Sequence, residues 1–140
     1  MASNLGPVLP LYIFEPMLWK QPDMSRRHYQ FLKACLGELN ASLEAIGQKL
    51  IIKRGNALDV LESLHKRHRI QSLWSHQETW NGWTYARDKA VDRWCHTKKI
   101  PWHQPTQNGV IRCLSDRGGW SAKWYARMKK AVIDAPEVLQ

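Results

Sequence analysis

Four short apolar runs, each separated from the next by a stretch long enough for a helix, constrain this chain more than any other feature. They are PVLPLYIFEP (residues 7–16), KLIIKR (49–54), IQSLWSH (70–76) and KIPWHQ (99–104). Brief apolar runs bounded by turn residues and rich in β-branched and aromatic side chains predict strands covered on both faces. Between the first two runs, Leu32, Cys35, Leu36, Leu39, Leu43 and Ile46 recur at spacings of three and four, the stripe of a surface helix. Ser25 is placed to cap that helix and Gly47 to stop it. A second helix follows the turn at Gly55-Asn56, carries Leu58, Leu61 and Leu64, and ends near His68. A third puts Ala86, Ala90, Val91, Trp94 and Cys95 on one face. A turn at Asn108-Gly109 and a loop at 117–119 precede a helical tail from about Ser121. Strand and helix alternating four times, with crossovers of helical length, specify an α/β fold: a parallel sheet with helices on both faces.

A chain of 140 residues, 44% hydrophobic and 24% charged, suits one globular domain. Its three cysteines, Cys35, Cys95 and Cys113, lie far apart without a C-x-x-C pair, which argues against a disulfide framework and fits a reducing, cytoplasmic setting. Cys35 and Cys95 fall on apolar helix faces and are expected in the core. The apolar stretch 8–14 is too short to span a membrane, and the start of the chain does not read as a signal peptide. A net charge of +9 favours a polyanionic partner, or is simply a solvated basic surface. The densest basic patch, HKRHR at 65–69, sits at a helix end, where cations complement the dipole. His65 and His68 have a metal-compatible spacing, but the neighbouring cations oppose a metal there.

Neither a glycine-rich phosphate loop nor a G-x-S-x-G elbow is present, which sets aside tight nucleotide-phosphate binding of those kinds and the α/β-hydrolases. The unusual passage is SHQETWNGW (75–83), just past the carboxyl end of the third run. Parallel sheets bind their ligands at that end of their strands. His76, Glu78 and Glu15 are placed there to act as acids or bases, or to orient a bound ring. Trp74 and Trp94 belong to strand and helix faces. Trp80 and Trp83 sit in the turn, where they suit either stacking on a flat ligand or a contact with another domain. Arg87 forms a local ion pair with Asp88 or meets an acidic ligand tail.

Four segments, GPVLPLYIFEP, LWSHQETWNGWTYARDKAVDRWC, IPWHQPTQNGVIR and RGGWSAKW, resemble in this order the amino-terminal, Rossmann-like α/β domain of the DNA photolyases and cryptochromes. The resemblance runs from about Gly6 to Met128. It implies a domain over 1–128, truncated at its start, and a tail or linker over 129–140 leading toward a FAD-binding domain absent from this chain. In the complete proteins that flavin drives the light-dependent splitting of pyrimidine dimers, a carbon–carbon lyase reaction, or serves blue-light sensing. This chain alone is not expected to catalyse it.

The resemblance further implies an antenna chromophore, a folate, a deazaflavin or a flavin-like compound. Its pocket would be formed from Glu15, His76, Glu78, Trp80, Asn81 and Arg87. Glu78 and Asn81 would hydrogen-bond ring heteroatoms, Trp80 would stack, and Arg87 would meet acidic groups. Trp83 and Thr84 stand where folate-binding relatives carry Asn-Glu, which counts against that arrangement for folate. The family's first strand, normally in the middle of the sheet, has no counterpart here. Its absence would leave unpaired strand edges, and so predicts either a truncated reading frame or a homo-oligomer that closes the sheet. The implied partners are the FAD-binding domain and, through the complete protein, DNA; no membrane is expected. Two other readings are a stand-alone basic module binding nucleic acid, with steep salt dependence, and a small enzyme using His76 and Glu78 as an acid–base pair.

Overall fold

The structure is a computed structural model that describes residue 3 and residues 5–139; residues 1, 2, 4 and 140, at the ends of the expected domain and tail, lie outside it. Each expected run forms a strand, but a shorter one. The strands are β1 (Leu11–Phe14), β2 (Ile51–Arg54), β3 (Leu73–Trp74) and β4 (Trp102–His103), and the helices are α1 (Arg26–Ala45), α2 (Ala57–His68), α3 (Gly82–Lys98) and α4 (Trp120–Met128). They fall into two compact units, Met1–Ile70 with Ala135–Gln140, and Gln71–Asp134.

In the first unit β1 and β2 pair in parallel, Leu11 opposite Ile51 and Phe14 opposite Arg54. The ladder is extended at both ends, where Ile51 N–H donates to Pro10 O at 2.9 Å and Gly55 N–H to Phe14 O at 3.1 Å. A parallel connection needs a crossover, and α1 supplies it. Ser25 caps α1 by accepting from the His28 amide. At the other end Gly47, at φ +93°, lets the chain turn back, with Gln48 N–H on Leu43 O (2.9 Å) and Gly47 N–H on Glu44 O (3.2 Å). That pair of bonds is a Schellman stop. The α1 stripe is covered only in part: none of its residues is fully buried, and Leu39 and Phe31 remain 46% and 72% exposed. The core of this unit is Ala57, Leu61 and Leu64 of α2. Beside it, Phe14 stacks on Trp19 at 5.5 Å and Tyr29 meets both rings edge-on.

In the second unit β3 pairs in parallel with β4, Leu73 opposite Trp102 and Trp74 opposite His103. The connecting α3 buries Thr84, Asp88, Val91 and Cys95, and Ile100 completes the core. The buried face is therefore rotated from the one expected: Val91 and Cys95 belong to it, Ala86 is exposed, and Trp94 is only half-buried. Two polar side chains near the amino end of α3 take part in the buried face: Thr84 through its bonds to Asn81, Asp88 through its pair with Arg87.

The sheet is not continuous as drawn from the sequence. It consists of two parallel pairs, β1-β2 and β3-β4. Residues 10, 12 and 14 turn their backbone toward β2, so the N–H and C=O groups of Leu11 and Ile13 point to the opposite edge, where no strand among the described residues meets them. Residues 73, 75 and 77 likewise face the β4 side through Leu73 N–H on Pro101 O, Ser75 N–H on His103 O and Gln77 N–H on Pro105 O. Among the described residues, β1 and β3 each have a ladder on one side only.

Burial of Cys95 and, second to it, the charge of Asp92 push the thiol up to about 11 from the usual 9.0. The folded state thus holds this proton more tightly than the unfolded one, so stability falls as pH rises from about 9 to 11. We predict that denaturant titrations at pH 9 and 11 show the wild type losing roughly 2 kcal/mol more than Cys95→Ala; equal losses would contradict the burial of this thiol.

Candidate functional site

The segment linking β3 to α3 is organised by one carboxylate. Glu78 Oε1 accepts from the amides of Thr79 (2.8 Å) and Trp80 (3.0 Å), closing a tight turn around its own side chain. The helix then starts on a capping box: Asn81 Oδ1 accepts from Thr84 N–H at 2.9 Å, and Thr84 Oγ1 accepts from Asn81 N–H at 3.2 Å. The Thr84 hydroxyl also donates to Asn81 O. Such reciprocal caps satisfy the helix's first amides. Thr84 is almost wholly buried and serves the helix start.

One turn further on, Arg87 joins the two acidic groups. Its Nη2 lies 2.8 Å from Asp88 Oδ1 and 3.7 Å from Glu78 Oε2, and its Nε donates to the same Asp88 oxygen at 3.1 Å. The Arg87 side chain is about one-quarter exposed and that of Asp88 is buried. Removing a buried carboxylate's ionic partner is costly, and for Asp88 that partner is Arg87. The ion pair read from the sequence is present, and it extends to Glu78. Trp80 is carried outward by this turn with 51% of its surface exposed. Asn108 Nδ2 donates to Thr79 Oγ1 at 3.1 Å and so ties the turn to the segment after β4.

Of the six residues expected in a pocket, Glu78, Trp80, Asn81 and Arg87 come together in this turn and first helical turns. His76 lies just before it, exposed. Glu15 belongs to the other unit. It is 4% exposed, follows β1 directly, and its Oε1 accepts from Ala57 N–H at 2.9 Å, across 42 residues of chain. Glu15 therefore fixes the end of a strand to the first amide of a helix, where a negative charge also meets the positive end of the dipole. Sequence reading missed Thr84 and Asp88 as buried polar anchors. The signal was the Asn-x-x-Thr spacing, a capping pattern ahead of an apolar face. Among the described residues no group of three or more His, Cys, Asp or Glu is placed to hold a metal ion.

The arrangement is that of a parallel α/β unit with a braced turn at the carboxyl end of a strand, the place where this class of fold holds ligands. The sequence model of the DNA photolyase family matches residues 2–136, and the chain belongs to that family. It is 30% identical over 78 residues to the chloroplastic/mitochondrial cryptochrome DASH of Solanum lycopersicum, an alignment covering 51% of this chain and 14% of that protein. The fold is similar to a bacterial class III photolyase from Agrobacterium tumefaciens (TM-score 0.73, 21% identity, 99% of this chain and 31% of that one). It is also similar to an archaeal photolyase from Sulfolobus tokodaii, whose structure contains two FAD molecules and is described as implying a novel light-harvesting cofactor (TM-score 0.62, 21% identity, 99% and 32%). The chain thus spans about one-third of the photolyases it resembles in fold. No helix among the described residues is long and apolar enough to cross a membrane.

We expect Asn81→Ala to lower the unfolding free energy by about 1 kcal/mol. Glu15→Ala leaves a buried amide without its acceptor and should cost about 2 kcal/mol. Urea denaturation followed by tryptophan fluorescence measures both. Variants as stable as the parent would show that these side chains do not hold their helices.

Proposed function

We propose that this chain is the antenna-chromophore half of a photolyase or cryptochrome. The observation that carries the reading is family membership over residues 2–136, combined with an exposed indole, Trp80, set on a turn that Glu78 and Arg87 brace. A planar chromophore fits this donor set. Trp80 offers a ring to stack on, and bases stacked on aromatic side chains gain about 1–3 kcal/mol each. Arg87, held between two carboxylates, is pre-positioned as a donor for an acidic group. Glu78 Oε1 and Asn81 Oδ1 are engaged with backbone amides, so their part here is to hold Trp80 and Arg87 in place. The exposed His76 flanks the turn.

A folate, a deazaflavin or a flavin-like compound would supply light absorption. The protein's contribution is stacking, orientation and charge. Glu15 is assigned to the same domain as the anchor that fixes the end of β1. The partner of this half is a FAD-binding domain, and contact with DNA, as well as repair or light sensing, comes through that domain. The open edge of β1 provides a site at which a second copy would close the sheet.

Incubating the chain with a reduced folate, a deazaflavin or FMN, followed by gel filtration, tests the reading. One compound is expected to co-elute by absorbance, with retention reduced roughly tenfold in Trp80→Ala and in Arg87→Ala. If none co-elutes, or if both variants retain it as the parent does, the assignment is wrong.

A further inference from the structure

A second arrangement, separate from the Glu78 turn, lies on the carboxyl-terminal side of the second unit. Val110, Ile111 and Leu114 form one side of an open groove of about 680 Å³, and Arg117, Trp120, Ser121 and Trp124 form the other. The groove is built from specific contacts. Arg127, in the last turn of α4, donates Nη1 to Val110 O at 2.6 Å and to Asn108 O at 3.2 Å, which fixes the extended wall against the helix. Gly109 sits directly against the Trp124 indole, and a side chain there would overlap the ring. Trp120 and Trp124, one helical turn apart, present a double aromatic surface with centroids 6.4 Å apart and planes tilted by 34°. Tyr125 supports Trp124 edge-on at 5.1 Å.

The chemistry of the lining is one-sided. Arg117, the Trp120 and Trp124 indole N–H groups and the Ser121 hydroxyl make no side-chain hydrogen bond or ion pair within the described residues, and no carboxylate lines the groove. From residue 109 to 130 the chain carries Arg112, Arg117, Lys123, Arg127, Lys129 and Lys130 against one acid, Asp116, which accepts from its own neighbour Gly118 N–H. Two flat apolar rings, a row of available donors and a positive surround select a ligand with a π-face and an anionic, acceptor-rich end. Base–aromatic stacking together with Arg–phosphate contact is the physical basis of such recognition.

We propose that this groove binds a nucleotide, with the base on Trp120 and Trp124 and the phosphate on Arg117. The same unit occurs free or within a single strand, and the two sources differ in salt response. A short strand releases counterions in proportion to the phosphates it engages, and a mononucleotide does so for one at most.

The test follows the indole N–H resonances of the full 140-residue chain by NMR during titration with AMP, adenosine, inorganic phosphate and an oligo(dA) of eight nucleotides. AMP should shift the Trp120 and Trp124 signals saturably and more tightly than adenosine or phosphate. Arg117→Gln, which removes the charge at an exposed position and keeps Trp120 and Trp124, should weaken AMP about tenfold and leave adenosine unchanged. Binding of oligo(dA) tighter than AMP, with a steeper salt slope, assigns the site to a strand; equal binding assigns it to free nucleotide. Three outcomes overturn the proposal: no shift at about 5 mM ligand, a concentration that populates even a millimolar complex; shifts confined to Trp80 and Trp83; or AMP binding unaffected by Arg117→Gln.

Discussion

A parallel strand pair cannot be closed by a hairpin, and everything in this protein is arranged around that constraint. Each pair, β1-β2 and β3-β4, is joined by a long helix, and the chain leaves each first strand at its carboxyl end with backbone amides to satisfy. The same solution is used twice. Glu15, one residue past β1, accepts from the first amide of α2. Glu78, four residues past β3, accepts from two amides of the turn that leads into α3. In both places an acid at a strand end, which sequence reading treats as a candidate for chemistry, accepts from backbone amides: Glu78 within its own turn and Glu15 at the start of α2. Rigidity is what a binding site needs, since a side chain held by a braced turn loses little freedom when a ligand arrives.

What was legible in the sequence was local. Ser25 caps a helix and Gly47 ends one, because capping depends on residues three or four apart; the caps at Asn56 and Asn81 emerged only in the structure. The order of strands and helices was legible for the same reason, and family membership agrees with the four quoted segments. Strand length was not. β3 and β4 reduce to two residues each, since pairing depends on a partner distant in sequence and the periodicity of an apolar run does not specify where that partner ends. Nor was the face of α3: Asp88 is buried only because Arg87 folds onto it, and Ala86 is exposed although its hydropathy suggests otherwise.

The Glu78 turn was partly readable. Its residues lie close in the chain, so Glu78, Trp80, Asn81 and Arg87 share one turn and the helix start that follows it. Their individual duties were not readable, because a carboxylate that serves a ring and one that serves its own backbone look alike in one dimension. Glu15 bonds across 42 residues, a relation beyond any local pattern. The groove beside α4 has a sequence signal of its own, two tryptophans four apart interleaved with Arg117, Lys123 and Arg127. Its other wall comes from the segment after β4, and nothing in that stretch of sequence says which helix it will meet.

The long α1 helix leads furthest from chemistry. It forms because its caps are sound, yet none of its twenty residues is fully buried and Phe31 is mostly in water. A helix that is well made but poorly covered owes its form to local capping rather than to burial, so its stripe is free to gain stability from whatever comes to lie on it.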